Sequence, residues 1–301
     1  MISGIINIKK EKGFTSHDVV AKMRGILRQK KIGHTGTLDP DATGVLPVCL
    51  GKATKLCDLI ADWDKTYEAV LLLGRETDTE DTSGTILKEE EVKVDEQTIC
   101  EIISSFVGDT MQIPPMYSAK KVKGKKLYEL AREGIVIERK PCPITISSIE
   151  IKEVALPYVR FEVSCSKGTY IRSLCRDIGA KAGCGGCMAS LIRTRVAAFH
   201  IEEAITLDEL EKLRDDNNLD TCIRAIDTVF SEYPSLTALK EAERYLYNGN
   251  KIALRYCKND SEWTGEGFCR VYDTDGHFIG IYQKEKQTDM IKPHKLFFDL
   301  P

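Results

Sequence analysis

Residues 33–47 read Gly33-His34-Thr35-Gly36-Thr37-Leu38-Asp39-Pro40-Asp41-Ala42-Thr43-Gly44-Val45-Leu46-Pro47. Three glycines, two prolines and two aspartates in fifteen positions predict an irregular loop, running on to Gly51, that fixes a backbone path and displays a few side chains. Leu38, Val45 and Leu46 are apolar enough to anchor it. Pro40 restricts the backbone of Asp39, and a carboxylate held in this way can serve as nucleophile, base or ligand. A plain Asp-Pro turn needs no chemistry at all, so the surrounding chain has to decide between the two.

Outward from this loop, residues 5–8 read as a short apolar strand. A helix is expected from Ser16 to about Gln29, capped by the Thr15-Ser16-His17-Asp18 turn. Residues 66–74 read as a strand ending in the polar turn Asp78–Gly84, and 95–107 as a helix. Pro114-Pro115 and the lysines after it predict an exposed loop over 113–126, with a helix at about 125–133. Alternation over 144–154 and 158–166 predicts two antiparallel strands. Helices follow at about 170–181 and 206–214. A linker is expected at 231–236. Beyond it, a helix at 237–247 and short strands at 251–256, 268–273, 277–283 and 295–299 have the pattern of a small β-barrel.

The chain has 301 residues, 42% hydrophobic and 30% charged, with a net charge of −3. That balance belongs to a folded globular protein, and the length favours two domains. No apolar run reaches the roughly 18 residues that span a bilayer. The apolar start at Met1–Ile8 is too short for a secretory signal, so a cytoplasmic location is expected. Eleven scattered cysteines fit free thiols in a reducing compartment. Cys184-Gly185-Gly186-Cys187 has the spacing of half a zinc site but lacks a second pair, so no metal is expected. Basic residues cluster at 9–31 and at Lys120, Lys121, Lys123, Lys125 and Lys126, and such asymmetry fits a polyanion-binding face.

The whole string 33–47 resembles the active-site motif of the bacterial tRNA pseudouridine(55) synthases of the TruB type, and a match of this length is specific. Other blocks resemble the same family in order and spacing. They are Lys65-Thr66-Tyr67 with Thr77-Asp78-Thr79 and Asp81, then Gln112-Ile113-Pro114-Pro115-Met116-Tyr117-Ser118-Ala119-Lys120-Lys121, then Ser166-Lys167-Gly168-Thr169-Tyr170-Ile171-Arg172, and Leu191-Ile192-Arg193-Thr194. The likeness covers roughly residues 3–230. The chain departs from the family pattern at Glu11, where a proline is usual, and at Cys187, where a histidine is usual.

The resemblance implies an α+β fold, a mixed and largely antiparallel sheet flanked by helices, over residues 1–232. An RNA-gripping insertion falls at about 109–143, and a PUA-like barrel occupies 233–301. It implies conversion of uridine 55 in the tRNA T-loop to pseudouridine by base flipping, with no cofactor and no obligate protein partner. In this reading Asp39 is the nucleophile, Arg172 its cation and Asp81 a third member. Tyr67 stacks on the detached uracil and accepts or relays the C5 proton, while Tyr170 and Leu191 form apolar walls. His34 fills the space left by the flipped base. Lys10, Lys120, Lys121 and Lys123 contact the RNA backbone.

On the residues alone, other readings stay open. His34, Asp39 and Asp41 could ligate a metal in a hydrolase, which chelation would inactivate. A non-catalytic RNA-binding protein would not need Asp39. A related synthase acting on another RNA is disfavoured by the lack of long basic extensions.

Overall fold

A computed structural model describes the chain except residues 119, 123, 260–262 and 299–301 and the side chains of Lys121, Lys126 and Asn259. Its main sheet has nine strands: β1 (Gly4–Lys10), β2 (Ile32–His34), β3 (Thr43–Leu50), β4 (Lys65–Leu73), β5 (Gly108–Gln112), β6 (Cys142–Ala155), β7 (Tyr158–Cys165), β8 (Gly186–Val196) and β9 (Phe199–His200). Their spatial order is β1-β3-β8-β4-β7-β6-β5, with β2 paired to β3 and β9 to β8. Every contact is antiparallel except the short parallel pairing of Thr43 and Gly44 with Ile192 and Arg193. The four longer helices are α1 (Ser16–Ile26), α2 (Glu96–Ser104), α3 (Ile171–Ala182) and α4 (Leu207–Asp215). This is the expected mixed, largely antiparallel α+β architecture.

Alternation decides which layer each strand face meets. On one face of β1 and β3, Ile6, Ile8, Leu46 and Val48 pack with Val19, Val20 and Met23 of α1 and Leu210 of α4. On the other face, Ile5, Val45 and Cys49 pack with Phe230, Ile281 and Phe297. Both faces are therefore buried. This explains why residues 45–50, with Gly and Pro nearby, form a strand instead of the predicted loop. The run Val45-Leu46-Pro47-Val48-Cys49-Leu50 is continuously apolar, as a strand covered on both faces should be, and only residues 35–42 stay irregular. Helices α2 and α3 cover β4, β6 and β7 through Ile99, Ile103, Leu174, Cys175 and Ile178, packed on Ala69, Leu71, Phe161, Val163, Ile144 and Ile146.

The C-terminal sheet contains β10 (Ser235–Ala238), β11 (Ile252–Ala253), β12 (Cys257–Asn259), β13 (Phe268–Tyr272), β14 (Phe278–Lys284) and β15 (Met290–Leu296), in the order β11-β15-β14-β13-β10-β12. It forms a nearly closed barrel around Leu236, Leu246, Val271, Ile279 and Tyr282. The helix expected at 237–247 shrinks to Glu243–Tyr247. Its first residues, Thr237 and Ala238, belong to β10, which pairs in parallel with β13 at Arg270, Val271 and Tyr272, and Lys240–Ala242 form a 3₁₀ turn. Among the described residues no helix is long and apolar enough to cross a membrane.

Candidate active site

The loop that carries Asp39 is pinned from several sides. Thr15 caps α1 through a reciprocal pair with Asp18: the Asp18 N–H donates to Thr15 Oγ1 at 3.1 Å and the Thr15 N–H to Asp18 Oδ2 at 2.8 Å, a capping box. The next residue, Ser16, is buried, and its Oγ accepts the Leu38 N–H at 2.9 Å. The Gly13 N–H donates to Pro40 O at 2.9 Å, and the Ala42 N–H closes the turn on Asp39 O at 3.1 Å. At the loop's exit Gly44 has φ +108°, and a Cβ there would lie 2.2 Å from Arg193 O. Only glycine permits this approach of the loop to β8.

Arg172, on the first turn of α3, meets Asp39 across 133 residues of chain. Its Nε lies 3.0 Å from Asp39 Oδ2, and its NH2 group donates to Oδ1 at 3.4 Å. The rest of the guanidinium is also used. It donates to Thr79 O at 3.1 Å and to Tyr117 O at 2.8 Å, and it faces Asp81 Oδ2 at 3.7 Å. Arg172 is buried, so this full set of acceptors is what makes its charge tolerable. The Asp39 side chain is still 42% exposed, although protein surrounds it on the other sides. Burial raises its carboxyl above the ordinary aspartate range; Arg172 opposes that shift and Asp81 adds to it. The arrangement is a carboxylate with one open edge, whose charged form a fixed cation favours against the effect of burial.

The walls come from neighbouring strands. Tyr67 on β4 stands in register with Arg193 on β8, two residues from Leu191. Tyr67, Leu191, Leu38, Ala42 and Ile171 belong to one apolar cluster. Burial raises the Tyr67 phenol, and Arg193 opposes that only in part, so the phenol stays protonated at neutral pH. Tyr170 precedes α3, and its backbone is clamped by the buried Gln112, which accepts its N–H at 2.9 Å and donates to its carbonyl at 3.0 Å. His34 ends β2. It is half-buried, its Nδ1 accepts the Gly36 N–H at 3.3 Å, and its ring meets His17 edge-on at 5.0 Å. Burial, His17 and Arg193 lower its pKa, which keeps it neutral at pH 7.

Lys10 requires a correction. It was expected on the RNA backbone, but it is fully buried, with its ammonium donating to Glu11 O at 3.0 Å and Pro40 O at 3.1 Å. Burial lowers its pKa to about 8, against the pull of Asp39 and Asp41. It supports the Asp39 loop from beneath and cannot reach a phosphate. Lys120 lies on the insertion, half-buried, its ammonium against Cys142 Sγ. Lys123 and the side chain of Lys121 lie outside the described residues. Gln112, Arg193 and Glu80 take part in the site without having been assigned roles from the sequence. The first two lie within the quoted blocks, but their neighbours are set only by folding.

His34, Asp39 and Asp41 do not gather their donor atoms in one place. Among the described residues the one such cluster is Asp273, Asp275 and His277, in the C-terminal barrel.

The whole chain is similar to known proteins. The model of the TruB family pseudouridylate synthase N-terminal domain matches residues 24–171, and that of the tRNA pseudouridylate synthase B C-terminal domain matches 172–231. The chain is 50% identical to tRNA pseudouridine synthase B of Lachnoclostridium phytofermentans, over 98% of this chain and all of that one. It is 44% identical to the protein of the same name from Alkaliphilus oremlandii, over 99% of each. In structure it is similar to a chain of a Cbf5-Nop10-Gar1 complex, with a TM-score of 0.74 and 26% identity over 98% of this chain and 85% of that one. With its loop carboxylate, buried arginine and full-length likeness, the chain belongs to the TruB family of pseudouridylate synthases.

Proposed function

We propose that this chain isomerises uridine 55 in the T-arm of tRNA to pseudouridine, with Asp39 acting at the sugar–base junction. The balance is simple. The N1–C1′ bond breaks, a C5–C1′ bond forms, C5 loses its proton and N1 ends protonated. Nothing is oxidised or added. The observation that carries the reading is the double contact of the buried Arg172 guanidinium with Asp39, which favours the charged form of a nucleophilic carboxylate at a partly open site.

The other groups take their roles from position. The target base leaves its stack, at a cost of a few kcal/mol, and His34 occupies the vacated place. Tyr67, Tyr170 and Leu191 hold the detached ring. Because the Tyr67 phenol remains protonated, it relays the C5 proton, passing its own on toward N1 of the detached ring as it takes the new one. We assign residues 1–232 to catalysis and 233–301 to a second RNA-contacting domain. The insertion at 109–143 bears on the site through Gln112 and Tyr117. We further propose that the enzyme works in the cytoplasm as a monomer without an obligate protein partner.

The direct test uses a tRNA transcript tritiated at uridine C5, with excess EDTA present. Release of one tritium per tRNA, matched by pseudouridine in the product, is expected. No release, or release abolished by EDTA, contradicts the scheme. The insertion is tested separately. Changing Lys120, Lys121 and Lys123 to Gln should weaken tRNA binding and reduce the slope of log K against log salt by about 2–3, because three fewer phosphates are neutralised. An unchanged slope removes these lysines from the interface.

A further inference from the structure

Glu80 is a buried acid one residue before Asp81, and the proposed chemistry does not use it. Its backbone has φ +64°, a left-handed conformation that L side chains seldom adopt. Its carboxylate turns back onto α3, where Oε2 accepts Ser173 Oγ at 2.5 Å and Oε1 pairs with Arg176. These partners are one and four positions beyond Arg172, so they lie within one helical turn of it. The segment is tied on its other side to β8. The Met188 N–H donates to Glu80 O at 3.0 Å, and the Thr82 N–H donates to Met188 O at 3.0 Å.

The residues flanking Glu80 meet Arg172 on the same helix. The Thr79 carbonyl accepts Arg172 NH1 at 3.1 Å, and Asp81 Oδ2 faces the same nitrogen at 3.7 Å. Asp81 is held in that pose by Thr79 Oγ1 at 2.7 Å and by Ser83, whose N–H and Oγ meet Oδ1 at 3.0 and 2.6 Å. Three consecutive residues thus grip one helix, with the outer two on the arginine that touches Asp39. Arg176 also donates to Ile113 O at 3.3 Å, as Arg172 does to Tyr117 O. The same helical turn therefore ties both the 79–81 segment and the insertion to the site.

We propose that Glu80 is a positioning residue for the isomerisation: by locking residues 79–81 onto Ser173 and Arg176 it sets the Thr79 carbonyl and the Asp81 carboxylate against Arg172, and so fixes the plane in which Arg172 holds Asp39. The inference rests on Asp39 and Arg172 being the working pair. A buried ion pair that served stability alone would set the melting temperature and leave the chemistry as it is. Glu80 sets the rate of the chemical step and the ionisation of Asp39, and leaves tRNA affinity unaffected.

The test is single-turnover tritium release by full-length Glu80→Gln, with tRNA Kd and thermal unfolding measured on the same preparation. A small displacement of reacting groups is costly, so the rate constant should fall at least about tenfold while Kd stays within about twofold. The acid limb of the rate profile should rise by about half a pH unit or more, because a poorly held Arg172 favours the Asp39 carboxylate less. A wild-type rate and acid limb overturn the proposal, whatever the melting temperature. Should Glu80→Gln fail to fold, Ser173→Ala removes only one of the two contacts. It should show a smaller fall and a shift in the same direction, and wild-type behaviour there overturns the proposal equally. An active Asp39→Asn enzyme would instead remove the underlying pair. An inactive one, alongside unaltered Glu80 and Ser173 variants, removes Glu80 alone.

Discussion

Asp39→Asn should bind tRNA and form no pseudouridine, with a rate lower by roughly 10⁴-fold or more, the scale seen when a nucleophile is removed. The substitution keeps the size of the side chain and an oxygen for Arg172, so the loop, held by Ser16, Gly13 and Lys10, should keep its shape. Affinity for tRNA should change by less than tenfold. In the wild-type enzyme the rate should drop as pH falls through the Asp39 pKa. Burial places that pKa above the ordinary aspartate range, with Arg172 limiting the rise. The acid limb therefore lies higher than that of an exposed aspartate. It should be absent from the residual rate of the Asn variant. Full activity in that variant ends the nucleophile assignment.

Arg172→Met should be the second most damaging change. Without the guanidinium, Asp39 and Asp81 remain near one another with no cation between them, and like charges favour protonation of one. The rate at neutral pH should fall by about 10²- to 10³-fold, the range reported for loss of a single charge-stabilising group. The acid limb should move upward. Arg172→Lys should recover little. A single ammonium cannot span Asp39, Thr79 O and Tyr117 O as the forked guanidinium does. Recovery to near wild-type rates in the Lys variant would show that only the charge matters and that the plane of the group does not.

The catalytic loop was legible because many residue types occur together in 33–47. No single one of them is informative, and Asp39 drew its meaning from its neighbours. The partnership with Arg172 was legible only through likeness to a family, since nothing local links positions 133 apart. Lys10 was misread because it was counted with Lys9 and Lys12 as part of a charged surface. The period of two in β1 held the contrary signal: Lys10 shares a face with Ile6 and Ile8, which pack under α1, whereas Lys9 is the exposed residue of the strand. Strand β3 was missed because its glycine and proline were weighed above its unbroken apolar run. Glu80 gave no signal in the sequence, where it looks like one more acid in a polar turn. Only the left-handed backbone and the return to α3 set it apart.

The central claim concerns one distance. A structure of the full-length Asp39→Asn variant with a tRNA T-arm hairpin would measure it. The account predicts a uridine turned out of its stack, ringed by Tyr67, Tyr170 and Leu191, with its C1′ about 3–3.5 Å from a side-chain atom of residue 39 and Arg172 still bonded to that side chain. A target base left in its stack, or a flipped base whose C1′ faces another group with residue 39 turned away, would contradict it.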